Sequence, residues 1–229
     1  MRYLARSIAF VLVLAVAAPA AAAETKGALP EGYPEAWYAR IETNLGTIVA
    51  RLLPVQAPQS VAHFAAFARG AMTWTDITTG APKTGPYYDG LTVHRITPAE
   101  RFEVGDPTGT GRGAPLVYVP IEVGGPMNFD RPYRIGLTRA ARGRINGAMF
   151  FVTCANQPFL SASHPCIAEV VAGRDVADAI CGMKLGSDGK SLTPVTIEHV
   201  RILKSGNPLP LPDPVPYTPP VPQLEPRPH

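Results

Sequence analysis

The chain has 229 residues, of which 46% are hydrophobic and 17% are charged. This balance is typical of a globular protein and excludes a disordered one, and the length suits one sizeable domain or two small ones. The formal net charge of +3 falls by two, to +1, if the N-terminal arginines Arg2 and Arg6 are removed. A chain so close to neutral gives no support for a nucleic-acid partner.

The N-terminus has the three parts of a secretory signal peptide. Arg2 and Arg6 supply positive charge, residues 8–18 form an apolar run, and residues 21–23 are three alanines that suit a signal peptidase. The alternative is a retained membrane anchor, but the apolar run is short for a bilayer. We therefore expect residues 1–23 to be cleaved, leaving an exported protein, periplasmic or secreted, with no membrane span.

A linker, a hairpin and a helix are predicted next. Residues 24–35 are rich in proline and glycine and are predicted to be a linker before a domain over residues 36–206. Strand-like runs at 38–43 and 47–52 flank a turn in which Gly46 is free to take a positive φ. Ser60 is the predicted N-cap of an amphipathic helix that follows the hairpin.

The rest of the domain is mostly strand-like. Further runs are predicted at residues 91–96, 148–153, 167–171 and 195–203, with a short helix at 175–181. In the last run the apolar positions change phase between Ile197 and Val200, which indicates a β-bulge. Several short strands with only two helices favour a barrel or sandwich over alternating βαβ units.

The C-terminal segment differs in composition from the domain. Ten prolines lie between Pro208 and Pro228. Such a segment prefers polyproline II and cannot build a core. We expect residues 207–229 to form a disordered tail, with a spacer or a ligand for another protein as the alternatives.

The three cysteines matter because export implies an oxidising compartment. They are Cys154, Cys166 and Cys181, and an odd number leaves at least one thiol unpaired within the chain. Cys154 and Cys166 lie in neighbouring strand-like segments and could pair. The alternative is three buried cysteines that act as small hydrophobic residues. None has a metal-binding spacing.

Two strand-like segments indicate a site. Strand alternation places Arg95 on the same face as Leu91 and Val93, and Met149 on the same face as Phe151. An arginine on an apolar sheet face costs desolvation energy unless it has a role or a partner. Taken alone, Arg95 is interpreted as a surface residue or as one partner of an ion pair.

Taken together and in this order, these segments resemble the cyclophilin family of peptidyl-prolyl isomerases. The resemblance covers roughly Trp37 to Leu203. It is carried by residues 87–96 with Arg95 at the catalytic arginine position, Pro98, the loop 105–111, the NGAMFF run at 146–151, Phe159, Leu160, His164, and residues 169–173 and 194–197.

The resemblance implies a mainly β fold, a closed eight-stranded barrel capped by two α-helices, with a peptide groove on its outer surface. It implies that Arg95 is catalytic and that the reaction needs no cofactor or metal. The implied substrate-binding residues include Phe151, Phe159, Leu160 and His164. With the signal peptide, the chain is expected to be an exported bacterial member of the family, most simply a monomer.

The sequence departs from the family pattern inside the groove. Glu100 and Arg101 stand where the family has pocket phenylalanine and methionine, Glu103 and Met149 replace two glutamines, and Arg139 lies in the altered segment 137–141. We expect these five residues to contact the substrate nonetheless. Glu103 is expected to pair with Arg95 and partly neutralise its field. Methionine at 149 cannot make the hydrogen bonds of a glutamine amide.

Two functions follow from this pattern. The first is a peptidyl-prolyl isomerase that assists the folding of exported client proteins, with activity weakened by the altered groove. The second is a non-catalytic module that binds proline-containing peptides or a protein partner. Retention of Arg95 with Phe151 favours the enzyme, and the charged residues Glu100, Arg101 and Glu103 favour the module. A structural envelope protein anchored by its tail is a third possibility.

Overall fold

The computed structural model describes residue 29 and residues 31–140, 144–187 and 189–216. The predicted signal peptide and the end of the predicted tail, residues 217–229, lie outside the described residues. The elements are β1 (Ala36–Thr43), β2 (Gly46–Leu52), α1 (Pro58–Arg69), β3 (Trp74–Thr75), β4 (Pro82–Lys83), β5 (Arg95–Thr97), β6 (Arg101–Val104), β7 (Tyr118–Val119), β8 (Arg134–Arg139), β9 (Ile145–Thr153), a 3₁₀ turn (Pro158–Leu160), β10 (Cys166–Ala172), α2 (Arg174–Cys181) and β11 (Ile197–Ser205).

The predicted hairpin joins β1 to β2. Gly46 has a φ of 137°, and the Thr43 hydroxyl accepts a hydrogen bond from the Leu45 N–H and donates one to the Gly46 carbonyl. A Cβ at Gly46 would lie 2.8 Å from the Val176 side chain, so glycine also lets α2 pack against the turn.

The fold is mainly β with two α-helices, as predicted. Nine of the described strands form one curled antiparallel sheet in the order β11-β1-β2-β10-β8-β9-β6-β5, with β7 on β9. This path is open, whereas a closed eight-stranded barrel is expected from the sequence. Backbone hydrogen bonds of 2.8–2.9 Å join residues 90–93 to residues 195–197 across the gap between β5 and β11.

The main core lies between the inner face of this sheet and α1. Phe64 of α1 is fully buried and packs edge-on against Phe150 at a centroid distance of 5.5 Å. The helix begins at Pro58, so Ser60 is not its N-cap. The carboxylate of Glu122 instead accepts hydrogen bonds from the N–H groups of Gln59 and Ser60, where the helix dipole favours negative charge.

A disulfide joins Cys154 to Cys181, so the pairing of Cys154 with Cys166 is wrong. Cys154 follows β9 and faces the end of α2, where the Cys154–Cys181 Cα–Cα distance is 6.6 Å. Cys166 is buried and free on β10, where it packs against Phe151 and Leu160. Burial raises the pKa of the Cys166 thiol to about 12, which keeps it protonated.

The first part of the predicted tail lies against the domain. The Trp37 indole N–H donates to the Leu209 carbonyl at 2.8 Å, and the Val215 N–H donates to the Gln59 side chain at 2.9 Å. Residues 207–216 are thus held by hydrogen bonds, whereas disorder is expected from residue 207. Among the described residues no helix is long and apolar enough to cross a membrane.

Candidate active site

Arg95 is the first residue of β5 and lies on the outer face of the sheet. Its side chain is 62% exposed, whereas Val93 is buried in the main core. The prediction that Arg95 shares a face with Val93 is therefore wrong. Residues 90–93 pair with residues 195–197 and lie outside β5, so strand alternation does not continue through His94. This change of phase exposes the guanidinium.

Glu103 lies directly across from Arg95 on β6 and interacts with two arginines. Its carboxylate lies 3.9 Å from the Arg95 guanidinium, 3.4 Å from that of Arg101 and 4.0 Å from the His94 ring. The pairing of Glu103 with Arg95 expected from the sequence is therefore present, with a second arginine sharing the carboxylate. Arg101 also donates a hydrogen bond of 3.1 Å to the Gln157 side chain.

An aromatic cluster lies beside this ion network. Phe151 is the cross-strand partner of Glu103 and is 2% exposed. Its ring packs against Phe129 at a centroid distance of 5.3 Å and edge-on against His164 at 5.4 Å. A Cβ at Gly136 would lie 2.6 Å from both phenylalanine rings, so the packing requires glycine there.

The two predicted site residues in the 3₁₀ turn Pro158–Leu160 differ in solvent exposure. Leu160 is buried with Phe151, whereas Phe159 is 67% exposed. Glu100 lies at the edge of the site, 3.7 Å from Arg101, with a side chain 46% exposed. Phe159 is therefore the most exposed of the aromatic residues predicted to contact the substrate.

A groove continues from Arg95 along the outer face of the sheet. It is lined by four of the predicted site residues, Arg95, Glu103, Arg139 and Met149. The pairing of β8 with β9 shifts in register between Leu137 and Arg139, which removes Arg139 from the core face that Leu137 occupies. The structure thus brings these four residues together beside the Phe151 cluster.

The loop after β6 forms one wall of the groove and is organised by Asp106. This buried carboxylate accepts hydrogen bonds of 2.7–2.9 Å from the N–H groups of Thr108, Thr110 and Arg112. Burial alone would raise the pKa of Asp106, but hydrogen bonds from the Thr108 hydroxyl and from the backbone of Thr108, Gly113 and Thr110 outweigh burial and lower the pKa to about 2. Asp106 is therefore ionised, and it fixes the backbone at Arg112.

Two histidines of the site are held neutral. Burial lowers the pKa of His164, and the nearby charges of Arg139 and Arg101 lower it further. Burial likewise lowers the pKa of His94, whose ring nitrogens have no hydrogen-bond partner within the described part of the chain. At pH 7 the positive charge of the site therefore resides on its arginines.

Three residues of the site were not singled out in the sequence. Phe129 packs on Phe151, Gln157 accepts from Arg101, and Arg112 lines the groove. Phe129 and Gln157 lie in irregular segments, where no periodicity marks a side chain as buried. Arg112 lies in a glycine-rich run that indicates only a turn.

Fold and site together are those of a mainly β protein with an exposed arginine beside an aromatic cluster on the outer face of its sheet. A family model described as cyclophilin type peptidyl-prolyl cis-trans isomerase/CLD matches residues 38–202. The chain belongs to this family, which confirms the resemblance and the predicted enzyme class at the level of the family.

Named relatives agree with this assignment. Peptidyl-prolyl cis-trans isomerase A of Mycobacterium tuberculosis is 33% identical over 166 residues, covering 72% of this chain and 91% of that protein. Peptidyl-prolyl cis-trans isomerase B of Streptomyces anulatus is 36% identical over 169 residues, with coverage of 72% and 96%. The fold is similar to a cyclophilin type isomerase of Cryptosporidium parvum solved with the dipeptide Ala-Pro, at a TM-score of 0.60, 22% identity, and coverage of 74% and 99%.

Proposed function

We propose that this protein is a peptidyl-prolyl cis-trans isomerase that acts on Xaa–Pro bonds of exported proteins. The observation that carries the proposal is the exposed guanidinium of Arg95, placed on the outer face of the sheet across from Glu103 and beside the Phe151 cluster. The Cryptosporidium parvum structure with Ala-Pro supports a proline-containing peptide as the ligand.

The role proposed for Arg95 follows from the electronic structure of the Xaa–Pro amide bond. Resonance keeps the Xaa–Pro amide planar and raises the rotation barrier to about 18–20 kcal/mol. Twisting the bond localises the lone pair on the proline nitrogen and makes it basic. A guanidinium that donates a hydrogen bond to that nitrogen binds the twisted state more strongly than the planar one, which lowers the barrier.

Glu103 is expected to weaken this effect. Its carboxylate lies 3.9 Å from Arg95, so part of the positive field acts on Glu103 instead of on the proline nitrogen. Arg101 competes for the same carboxylate at 3.4 Å and restores part of that field. We therefore expect an isomerase that is slower than one with a neutral residue at position 103.

Export of the protein is part of the proposal. It is supported by the charged, apolar and alanine-rich parts of residues 1–23. The disulfide between Cys154 and Cys181 agrees with it, because such bonds persist in oxidising compartments and are rare in the cytosol. Edman sequencing of the protein purified from its host tests this point: a mature N-terminus at or near residue 24 supports export, and an intact Met1 contradicts it.

A non-catalytic peptide-binding module is the second candidate. One observation favours it: Phe151, which would hold the proline ring, is only 2% exposed. The bond from Arg101 to Gln157 holds a charged group beside this ring. A peptide could therefore bind along the groove without its proline entering an apolar pocket.

A single titration separates the two candidates. An Ala-Pro peptide is added to the ¹⁵N-labelled protein, and binding shifts and cis–trans exchange of the peptide are measured in the same NMR samples. Binding with accelerated exchange supports the isomerase. Binding at the groove residues without acceleration overturns it and leaves the binding module.

A further inference from the structure

A second pocket lies in the groove next to Arg95, away from the aromatic cluster. We define the basic pocket as Arg112, Tyr118, Thr138, Arg139 and Met149, which line one continuous depression. Met149 and Phe151 share a face of β9 and are two residues apart, which corresponds to about 7 Å along a strand. The basic pocket is therefore adjacent to the place proposed for the proline ring, and distinct from it.

The pocket carries uncompensated positive charge. Neither Arg112 nor Arg139 has a carboxylate within ion-pairing distance among the described residues. Glu103 is the one acid among the described residues that line the same groove, and it already pairs with Arg95 and Arg101. Arg144 adds further charge, since its guanidinium lies 4.8 Å from the centroid of the Tyr118 ring.

Thr138 provides an independent observation that favours a ligand in this pocket. Its residue exposure is 7%, and its hydroxyl has no hydrogen-bond partner among the residues that the structure describes. Thr138 lies two residues after Gly136 on β8, so alternation puts its side chain on the same outer face as the rings that pack on Gly136. Buried hydroxyls are normally hydrogen-bonded, and a ligand oxygen in the pocket would satisfy this one.

The walls of the pocket are held in place without a ligand. The Arg112 N–H donates to the Asp106 carboxylate at 2.9 Å, which fixes one wall. The Asn146 side chain donates to the Pro115 carbonyl at 2.8 Å and accepts from the Met149 N–H at 3.0 Å, which fixes the other. A preorganised pocket loses little conformational entropy when it binds.

We propose that the basic pocket binds the carboxylate of an aspartate or glutamate side chain located about two residues from the proline of the bound peptide. Arginine guanidinium groups bind carboxylates through paired, charge-assisted hydrogen bonds, and the Thr138 hydroxyl adds a third donor. The proposal deepens the proposed function, on which it rests for the placement of the proline. It makes the protein selective for acidic proline-containing segments.

Matched peptides test the selectivity by binding alone. Two series of Ala-Pro peptides carry Glu, Gln or Lys two residues before the proline or two residues after it, and dissociation constants come from NMR titration. In one of the two series we expect the Glu peptide to bind about tenfold more tightly than the Gln peptide, and the Lys peptide to bind more weakly than both. Raising the salt concentration reduces the difference.

Variants tie the selectivity to the pocket. In the double variant Arg112→Gln/Arg139→Gln, the preference for Glu over Gln is expected to fall below twofold. The variant Arg131→Gln, an exposed arginine outside the groove, is expected to keep it. A preference that survives the double variant overturns the pocket as its cause, and equal binding of the three peptides in both series overturns the proposal.

The outcomes also separate the pocket from the proposed function. A protein that accelerates exchange of Glu, Gln and Lys peptides equally is an isomerase without the acidic preference. A protein that prefers Glu peptides without accelerating exchange has the pocket and is not an isomerase. Absence of binding by every peptide at millimolar concentration overturns both.

Discussion

Arg95 and Glu103 face each other on neighbouring strands, and their side chains lie 3.9 Å apart. The pair differs in burial, because the Arg95 side chain is 62% exposed and that of Glu103 only 13%. The buried partner is also the one shared with Arg101. The guanidinium of Arg95 therefore shares its electrostatic field with a largely buried carboxylate.

Replacing Glu103 by glutamine tests this competition. We expect Glu103→Gln to raise kcat/KM for an Ala-Pro peptide about two- to fivefold, since an exposed ion pair is worth up to about 1 kcal/mol. Glu198→Gln removes an exposed carboxylate on β11, outside the groove, and is the matched control with little change. A rate that falls in Glu103→Gln would mean that the carboxylate holds Arg95 in its catalytic position.

The aromatic cluster should be necessary for stability. Phe129 is fully buried against Phe151, so Phe129→Ala is expected to lower the free energy of unfolding by about 3–5 kcal/mol in urea titration. Phe159 is 67% exposed, and Phe159→Ala is expected to stay within about 0.5 kcal/mol of the native protein. Equal losses in the two variants would contradict the packing described for these rings.

The disulfide should contribute to stability by closing a long segment. Cys154 and Cys181 are 27 residues apart, and chain entropy assigns such a link about 3–4 kcal/mol. Cys181→Ser should therefore unfold at lower urea concentration, and a reductant should bring the native protein to the same midpoint. If the native protein keeps its urea midpoint after thiol titration shows that it is reduced, the disulfide adds nothing to stability.

Asp106 should make stability depend on pH in the acid range. Its pKa in the folded protein is about 2, below that of an unperturbed aspartate, so folding favours the carboxylate. The stabilisation is complete above about pH 4 and is lost as pH falls toward 2. Urea titrations between pH 5 and pH 2 should show a smaller pH dependence in Asp106→Asn than in the native protein.

The control for this experiment is Asp130→Asn, which changes an exposed aspartate. It is expected to retain the pH dependence of the native protein. The same slope in Asp106→Asn and the native protein would contradict the role given to Asp106 in holding the loop at Arg112.

Local features of the fold could be predicted from the sequence. The turn at Gly46 and the helix α2 follow from residue types within a few positions, and both are found. The phase change between Ile197 and Val200 predicts a bulge, and in the pairing of β1 with β11 Glu198 has no partner, because Glu42 and Thr43 face His199 and Ile197. Each of these signals depends on neighbours in sequence.

Features that depend on distant segments could not be predicted in the same way. Capping of α1 by Glu122 joins residues more than 60 positions apart, and no spacing rule connects them. The partner of Cys154 depends on where α2 packs, which strand patterns do not specify. The orientation of Arg95 depends on residues 90–93 pairing with residues 195–197, which ends the regular alternation.

In the candidate site, too, some features could be predicted from the sequence and others depend on contacts between distant segments. Family resemblance assigns roles to Arg95, Phe151 and His164, and the structure places these residues in one region, where their roles remain predictions. The basic pocket includes Met149 and Arg139 of the predicted site residues, but no motif places Arg112 beside them. It forms because the register shift after Leu137 and the Asp106 loop bring Arg139 and Arg112 to one groove.

The central claim is that the Arg95 guanidinium accelerates rotation about the Xaa–Pro bond, and NMR exchange spectroscopy of an Ala-Pro peptide tests it directly. We expect the native protein and the control Arg131→Ala to accelerate exchange, and Arg95→Ala to bind the peptide with a similar dissociation constant but to lose most of the acceleration. Acceleration that survives in Arg95→Ala, or that is absent from the folded native protein across several Xaa residues, would contradict the claim.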